Sequence, residues 1–152
     1  MKIRVATPED APEITKFNLL MAAETEHRRL NPETLRNGVD RILSDKSRGL
    51  YYVADIRGEL VGQLMITYEW SDWRNGTFWW IQSVYVRKDF RHKGVFKNMY
   101  EHVVSLARKD PSVCGIRLYV ERHNEIARRT YEALGMVMTE YELFETDWQL
   151  NA

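Results

Sequence analysis

The sequence predicts a mixed α+β domain, a central and mostly antiparallel sheet flanked by helices, in the order β-α-α-β-β-β-α-β-α-β. Three observations carry this. Between Leu50 and Val86, apolar strand-like runs are separated by Arg57-Gly58 and by Asp72-Trp73-Arg74-Asn75-Gly76, both hairpin-turn signals. After Gly94 the apolar period becomes helical, with Phe96, Met99, Tyr100, Val103, Val104 and Ala107 on one stripe. Two cap-then-proline pairs, Thr7-Pro8 and Asn31-Pro32, announce helices ahead of the first long strand.

Taken in order, Ile3 and Val5 make a short strand. Thr7 caps a helix with Pro8 at its first position, Glu9 and Asp10 in its first turn, and Ile14, Phe17, Leu20 and Met21 as its stripe. Asn31 caps the second helix, whose stripe is Leu35, Val39, Ile42 and Leu43. Leu50–Ile56 and Leu60–Tyr68 are strands, the latter with Leu60, Leu64, Ile66 and Tyr68 on one face. In the strand from Phe78, strict alternation puts Phe78, Trp80, Val84 and Val86 on one face and Trp79, Ile81 and Tyr85 on the other. Apolar residues on both faces mark a central strand covered on both sides. Asp110-Pro111 ends the third helix, and Ile116–Glu121 reads as a strand. Asn124 caps a fourth helix with Ile126, Ala127, Tyr131 and Leu134 inward and Gly135 at its end. Val137–Leu150 reads as one or two terminal strands.

With 152 residues, 44% of them apolar, the chain suits one domain spanning 1–152. Lys plus Arg equals Asp plus Glu at 22 each, so no basic footprint points to nucleic acid or an anionic membrane. Cys114 is the only cysteine, which excludes an internal disulfide and agrees with a reducing compartment. No signal core or membrane span appears, so the cytoplasm is expected, and Asn75-Gly76-Thr77 reads as a turn rather than a glycosylation site. His27, His92, His102 and His123 lack metal-ligand spacing, so no metal is expected. Neither a Gly-Lys-Ser/Thr loop nor a G-x-G-x-x-G motif is present.

The turn Arg91-His92-Lys93-Gly94 joins a strand to a helix N-terminus, whose unpaired N–H groups and dipole favour anions. Alone it reads equally as an ordinary connection with solvated basic residues. Arg91-His92-Lys93-Gly94-Val95-Phe96 resembles the R/Q-x-x-G-x-G/A loop of the GNAT superfamily of acetyl-CoA-dependent N-acyltransferases, with Phe96 where that family usually has Gly or Ala. A second stretch, Leu118-Tyr119-Val120 with Asn124, Ala127, Tyr131 and Gly135-Met136, resembles the family pattern L-x-V-x-x-x-N-x-x-A-x-x-x-Y-x-x-x-G-F, with Met in the Phe place.

The resemblance implies an N-acetyltransferase that uses acetyl-CoA as cosubstrate. It implies Val84, Tyr85 and Val86 as the cofactor-binding strand, with the Val86 N–H at the acetyl carbonyl. Arg91, His92, Lys93, Gly94, Val95 and Phe96 would lie at the pyrophosphate, mainly through backbone amides, and Asn124 near the pantetheine arm. Tyr131 would assist thiolate departure. Many family members carry Glu at the place of Gln82, and glutamine takes no proton at neutral pH. Either water relays the proton or another carboxylate acts: Glu69 or Asp72, and less directly Glu24, Glu26 or His27. The acceptor, a small-molecule or peptide amine, is expected near the first helix-turn-helix, with Glu26, Trp70 and Gln82 as substrate contacts. The loss of Glu at Gln82 also leaves open a non-catalytic acyl-CoA-binding sensor or interaction module. Exposed edge strands and the Trp content suggest a homodimer.

Overall fold

An extended Thr7 donates its N–H to Asp10 Oδ2 at 2.8 Å, and the chain turns from strand into helix there. In the computed structural model, which describes residues 1–149, the elements are β1 (Lys2–Val5), a 3₁₀ turn (Pro8–Asp10), α1 (Ala11–Thr25), α2 (Pro32–Ser44), β2 (Leu50–Ile56), β3 (Glu59–Ser71), β4 (Gly76–Val86), a second 3₁₀ turn (Lys88–Phe90), α3 (Val95–Lys109), β5 (Val113–Arg117) and α4 (Glu125–Ala133). The residues expected to open α1 thus form the preceding turn. The strands align as β1-β2-β3-β4-β5, antiparallel except for the β4–β5 pair, which is parallel. The chain divides into two units, Met1–Glu121 and one that begins at Arg122.

Both sheet faces are covered, as alternation on β4 requires. On one, Ile14 and Phe17 of α1 and Val39 and Ile42 of α2 pack against Tyr51, Val53, Leu60 and Tyr85. On the other, Val95, Met99 and Val103 of α3 pack against Ala54, Leu64, Ile66 and Ile81. The innermost α3 stripe is Val95, Met99, Val103 and Ala107; Phe96 and Tyr100 flank it half-buried. Asp10 is almost fully buried between Arg4 Nη1 and Nη2, at 2.8 and 3.0 Å, and the Thr7 N–H. Burial alone would raise its carboxyl, but the Arg4 and Thr7 hydrogen bonds outweigh it and hold the pKa below the ordinary value. A carboxylate depressed on folding stabilises the native state above its unfolded pKa and loses that contribution as acid titrates it. Asp10→Ala is therefore expected to cost about 2 kcal/mol at neutral pH. It should also flatten the fall in melting temperature below about pH 4, as thermal denaturation across a pH series would measure.

Two irregularities revise the expected faces. β3 pairs Gln63 with Tyr85 and Met65 with Gln82, so β4 holds one extra residue there, and Ser83 takes φ +51°. Side-chain parity slips at that point. Val84 and Val86 join Trp79 and Ile81 on the α3 side, while Tyr85 crosses to the α1 side. A second register shift, at Ala54/Asp55, puts Leu60 on the α1 side, apart from Leu64 and Ile66.

The strand expected over Ile116–Glu121 lies earlier. Its ladder runs from Thr77↔Val113 to Trp80↔Arg117, with Gly115 against the Phe78 ring, where a Cβ would lie 2.7 Å from a ring carbon. Residues 118–121 carry no strand. Nor do residues 137–149, where terminal strands were expected; Leu150 lies outside the described residues. A strand needs a ladder partner, and none is present for this stretch among the described residues. α4 has its Asn124 cap, with Oδ1 accepting from the Ala127 N–H at 3.2 Å, but no buried residue; the expected inner residue Ile126 is exposed. No helix among the described residues is long and apolar enough to cross a membrane.

Candidate active site

The end of β4 and the loop after it hold most of the residues singled out by sequence. The Arg87 N–H donates to Val61 O at 2.9 Å, which makes Val86 and Gly62 a non-hydrogen-bonded antiparallel pair. The Val86 N–H therefore points away from β3. On that side the β5 ladder has already ended, at Trp80↔Arg117. Among the described residues, the second half of β4 thus has no ladder partner on that side.

The loop is braced from below. Arg87 pairs with Glu59 and, at 2.7 Å, with Asp89. Phe90 lies beneath the Arg87 and Lys93 cations, 5.1 and 5.3 Å from its ring. Arg91 Nε donates to Val86 O at 2.9 Å, and Nη2 to Glu24 Oε2 at 2.7 Å. Its guanidinium also sits 5.4 Å from the Tyr85 ring, whose hydroxyl donates to Glu24 Oε1 at 3.3 Å. The Arg91 side chain thus ties the loop to the end of α1. His92 and Gly94 both have positive φ, +64° and +78°, which folds the chain tightly into α3. Whereas Asn31 caps α2 and Asn124 caps α4, no side chain caps α3, and no acid lies in its first turn. A Cβ added at Gly94 would meet nothing within 4 Å. Val95 turns into the core, and the Phe96 ring leans on Tyr100, 6.1 Å between centroids, one turn along the same helix. A helix start without a side-chain cap, a positive helix end, an open approach and basic neighbours together suit a polyanion such as a pyrophosphate.

Of the candidate bases, Glu69 is held through one oxygen, Oε1. It accepts from Trp80 Nε1 at 3.0 Å and from Arg117 Nη1 at 2.7 Å, and these bonds hold its carboxyl below the usual range. Asp72 accepts from the Trp73 N–H in the hairpin turn. Gln82 donates to Thr67 Oγ1 at 2.7 Å, next to the Ser83 bulge. Glu24 stands beside Tyr85 and Arg91, whereas Glu26 is exposed beyond the end of α1. Trp70 pairs with Thr77, at the opposite end of β4 from Val86. About 30 Å of strand separates them at 3.3 Å per residue, so Trp70 is not brought to the loop. In the second unit, burial pushes the Tyr131 hydroxyl above its ordinary value, so it stays protonated at neutral pH.

Sequence reasoning missed a buried polar chain under the bulge. Gln63, with no solvent exposure, donates to Ser83 O at 3.0 Å and to Asn18 Oδ1 at 3.3 Å, and Asn18 donates to Tyr51 Oη at 3.1 Å. The signal was a lone glutamine inside the apolar run Leu60-Val61-Gly62-Gln63-Leu64-Met65-Ile66, since a buried amide needs partners.

The family model for the acetyltransferase (GNAT) family matches residues 17–136, which takes in this loop and Tyr131. The chain belongs to the GNAT acetyltransferase family. This GNAT protein is similar to the crystal structure of "a possible acetyltransferase from Clostridium difficile 630", with 44% identity, 96% of each chain covered and a TM-score of 0.91. It is 24% identical to an uncharacterized N-acetyltransferase of Lactobacillus delbrueckii subsp. lactis, over 95% of this chain and 88% of the relative. A predicted acetyltransferase of Clostridium acetobutylicum, solved with acetyl-CoA, shares the fold at 16% identity, with 95% of each chain covered and a TM-score of 0.78. Among the described residues of the GNAT protein, no three His, Cys, Asp or Glu side chains gather as a metal site would require.

Proposed function

We propose that this GNAT protein acts as one acetyltransferase domain that moves an acetyl group from acetyl-CoA to a primary amine by direct attack. The observation that carries the reading is the uncapped α3 N-terminus at Gly94, with its open approach and positive φ. His92–Phe96 would hold the pyrophosphate through backbone N–H groups, and Asn124 would lie by the pantetheine arm. The Val86 N–H, directed away from β3, would receive the carbonyl oxygen as charge develops on it. The neutral amine forms the new C–N bond and the C–S bond breaks. The thiolate takes the Tyr131 proton, and the proton lost by the amine leaves through a water relay. No carboxylate stands in the place of Gln82, and Glu69 pairs with Phe78, eight residues along the strand from Val86, so water relays the proton away from the amine.

Gln82 favours a second reading, an acyl-CoA-binding module without turnover. A thiol-release assay over a panel of amines, paired with calorimetric acetyl-CoA binding, separates the two. Turnover with at least one amine is the expected result. Binding without turnover supports the module, and no binding overturns both.

A further inference from the structure

β3 carries a glutamine inside an apolar run, and the structure uses that glutamine for its donors alone. Gln63 has no solvent exposure and pairs across the ladder with Tyr85, the residue before Val86. Its Nε2 has two hydrogens and both are engaged, with Ser83 O at 3.0 Å and Asn18 Oδ1 at 3.3 Å. The partners fix which way the amide points. Asn18 gives its own N–H groups to Ile14 O and Tyr51 Oη, each at 3.1 Å, so its oxygen is the atom left for Gln63. Turning the Gln63 amide over would set oxygen against two acceptor oxygens. Gln63 Oε1, by contrast, has no hydrogen-bond partner among the described residues. A buried amide oxygen without a donor is destabilising. An apolar side chain would avoid that, so the role of this residue lies in what its nitrogen holds.

What it holds is the β4 bulge. Ser83 is the surplus residue, at φ +51°, and a bulge bends its strand. Through Asn18 and Tyr51 the grip on the Ser83 carbonyl reaches α1 and β2, two elements outside the β3–β4 ladder. On the other side of Val86, the Arg87 N–H donates to Val61 O at 2.9 Å, and Val86 O accepts from Arg91 Nε at 2.9 Å. The Val86 N–H, directed away from β3, is therefore set between two fixed points, the bulge before it and the loop after it. A donor to a developing oxyanion must lie about 3 Å from the place the oxygen will occupy, so the path of the strand matters as much as the donor.

We propose that Gln63 is a positioning residue for acetyl transfer: by holding the Ser83 carbonyl it fixes the path of β4 that presents the Val86 N–H to the acetyl carbonyl. This rests on the proposed function, in which Val86 is the oxyanion donor. Gln63, fully buried, acts only through the backbone.

Gln63→Leu nearly keeps the volume and removes the donors. The expected variant has an unaltered circular dichroism spectrum, acetyl-CoA affinity within about twofold of wild type, and kcat lower by about tenfold or more, the scale of a misplaced catalytic group. A solely structural role would lower the melting temperature and leave kcat per folded molecule in place. Infrared difference spectra with acetyl-CoA isotope-labelled at the thioester carbonyl read the Val86 bond directly. On binding to the wild type the carbonyl band should move to lower wavenumber, and Gln63→Leu should lose most of that shift. A shift equal to wild type, or an unchanged kcat, overturns this inference alone. No shift in the wild type removes Val86 as the carbonyl's donor, and the oxyanion assignment of the proposed function falls together with the inference. If Gln63→Leu fails to fold, Gln63→Glu is the second probe. Its ionised carboxylate has no hydrogen for Ser83 O, the protonated acid has one, and burial raises the pKa of such an acid. Its rate relative to wild type should be low at alkaline pH and recover as the pH falls. A relative rate that stays level across pH overturns the inference.

Discussion

Tyr131→Phe is expected to lower kcat by about 10²-fold or more, the scale of a lost proton donor, while acetyl-CoA binding changes little. The ring remains, and the only group lost is a hydroxyl whose pKa burial holds above its ordinary value. Because that group is already protonated over the working range, removing it should leave the acidic limb of the rate profile in place. That limb reports the acceptor amine, which must be neutral to attack. Steady-state kinetics with calorimetric binding checks both parts. Equal rates for the variant and the wild type would remove Tyr131 from the reaction.

The second large effect is at Gly94. A Cβ at Gly94 meets no protein atom within 4 Å, so the start of a Gly94→Trp side chain has room in the free protein. The cost to the fold is the positive φ, about 1–2 kcal/mol for a side chain in that region. The cost to the ligand is larger, because an indole would stand where phosphate oxygens approach the α3 amides. Acetyl-CoA affinity should fall by at least tenfold, roughly the 1.4 kcal/mol of a single lost charged contact. Gly94→Ala, which adds one methyl group at the same φ, should retain most of the stability loss and little of the binding loss. Binding equal to wild type in Gly94→Trp would mean that the pyrophosphate lies elsewhere.

The elements readable in advance were those with local signals. Asn31 and Asn124 cap helices because a side-chain oxygen satisfies a nearby N–H, a requirement visible within four residues. Arg57 and Asn75 take the positive φ that their hairpin turns demand. What escaped was set by distant partners. Ser83 has no composition that announces a bulge; its backbone is held by Gln63, from the neighbouring strand. β5 begins before its apolar alternation because Phe78 requires the bare Gly115 beside it. The loop was readable because glycine and helix periodicity meet there, but the Arg91 side chain went to Glu24, sixty-seven residues away in sequence, a choice no local pattern encodes.

The extra residue at Ser83 has a consequence for how this chain tolerates change. Exchanging Ser83 for another residue alters one site, whereas deleting it would remove the one surplus residue of β4 and restore strict alternation from Gln82 to Val86. Tyr85 would stay beside Phe17, its ring neighbour at 5.1 Å, and Val84 and Val86 would still face α3. What would vanish is the local bend at φ +51° and the carbonyl that Gln63 holds, so the surplus residue shapes the path of the strand toward the loop and not the facing of the side chains beyond it.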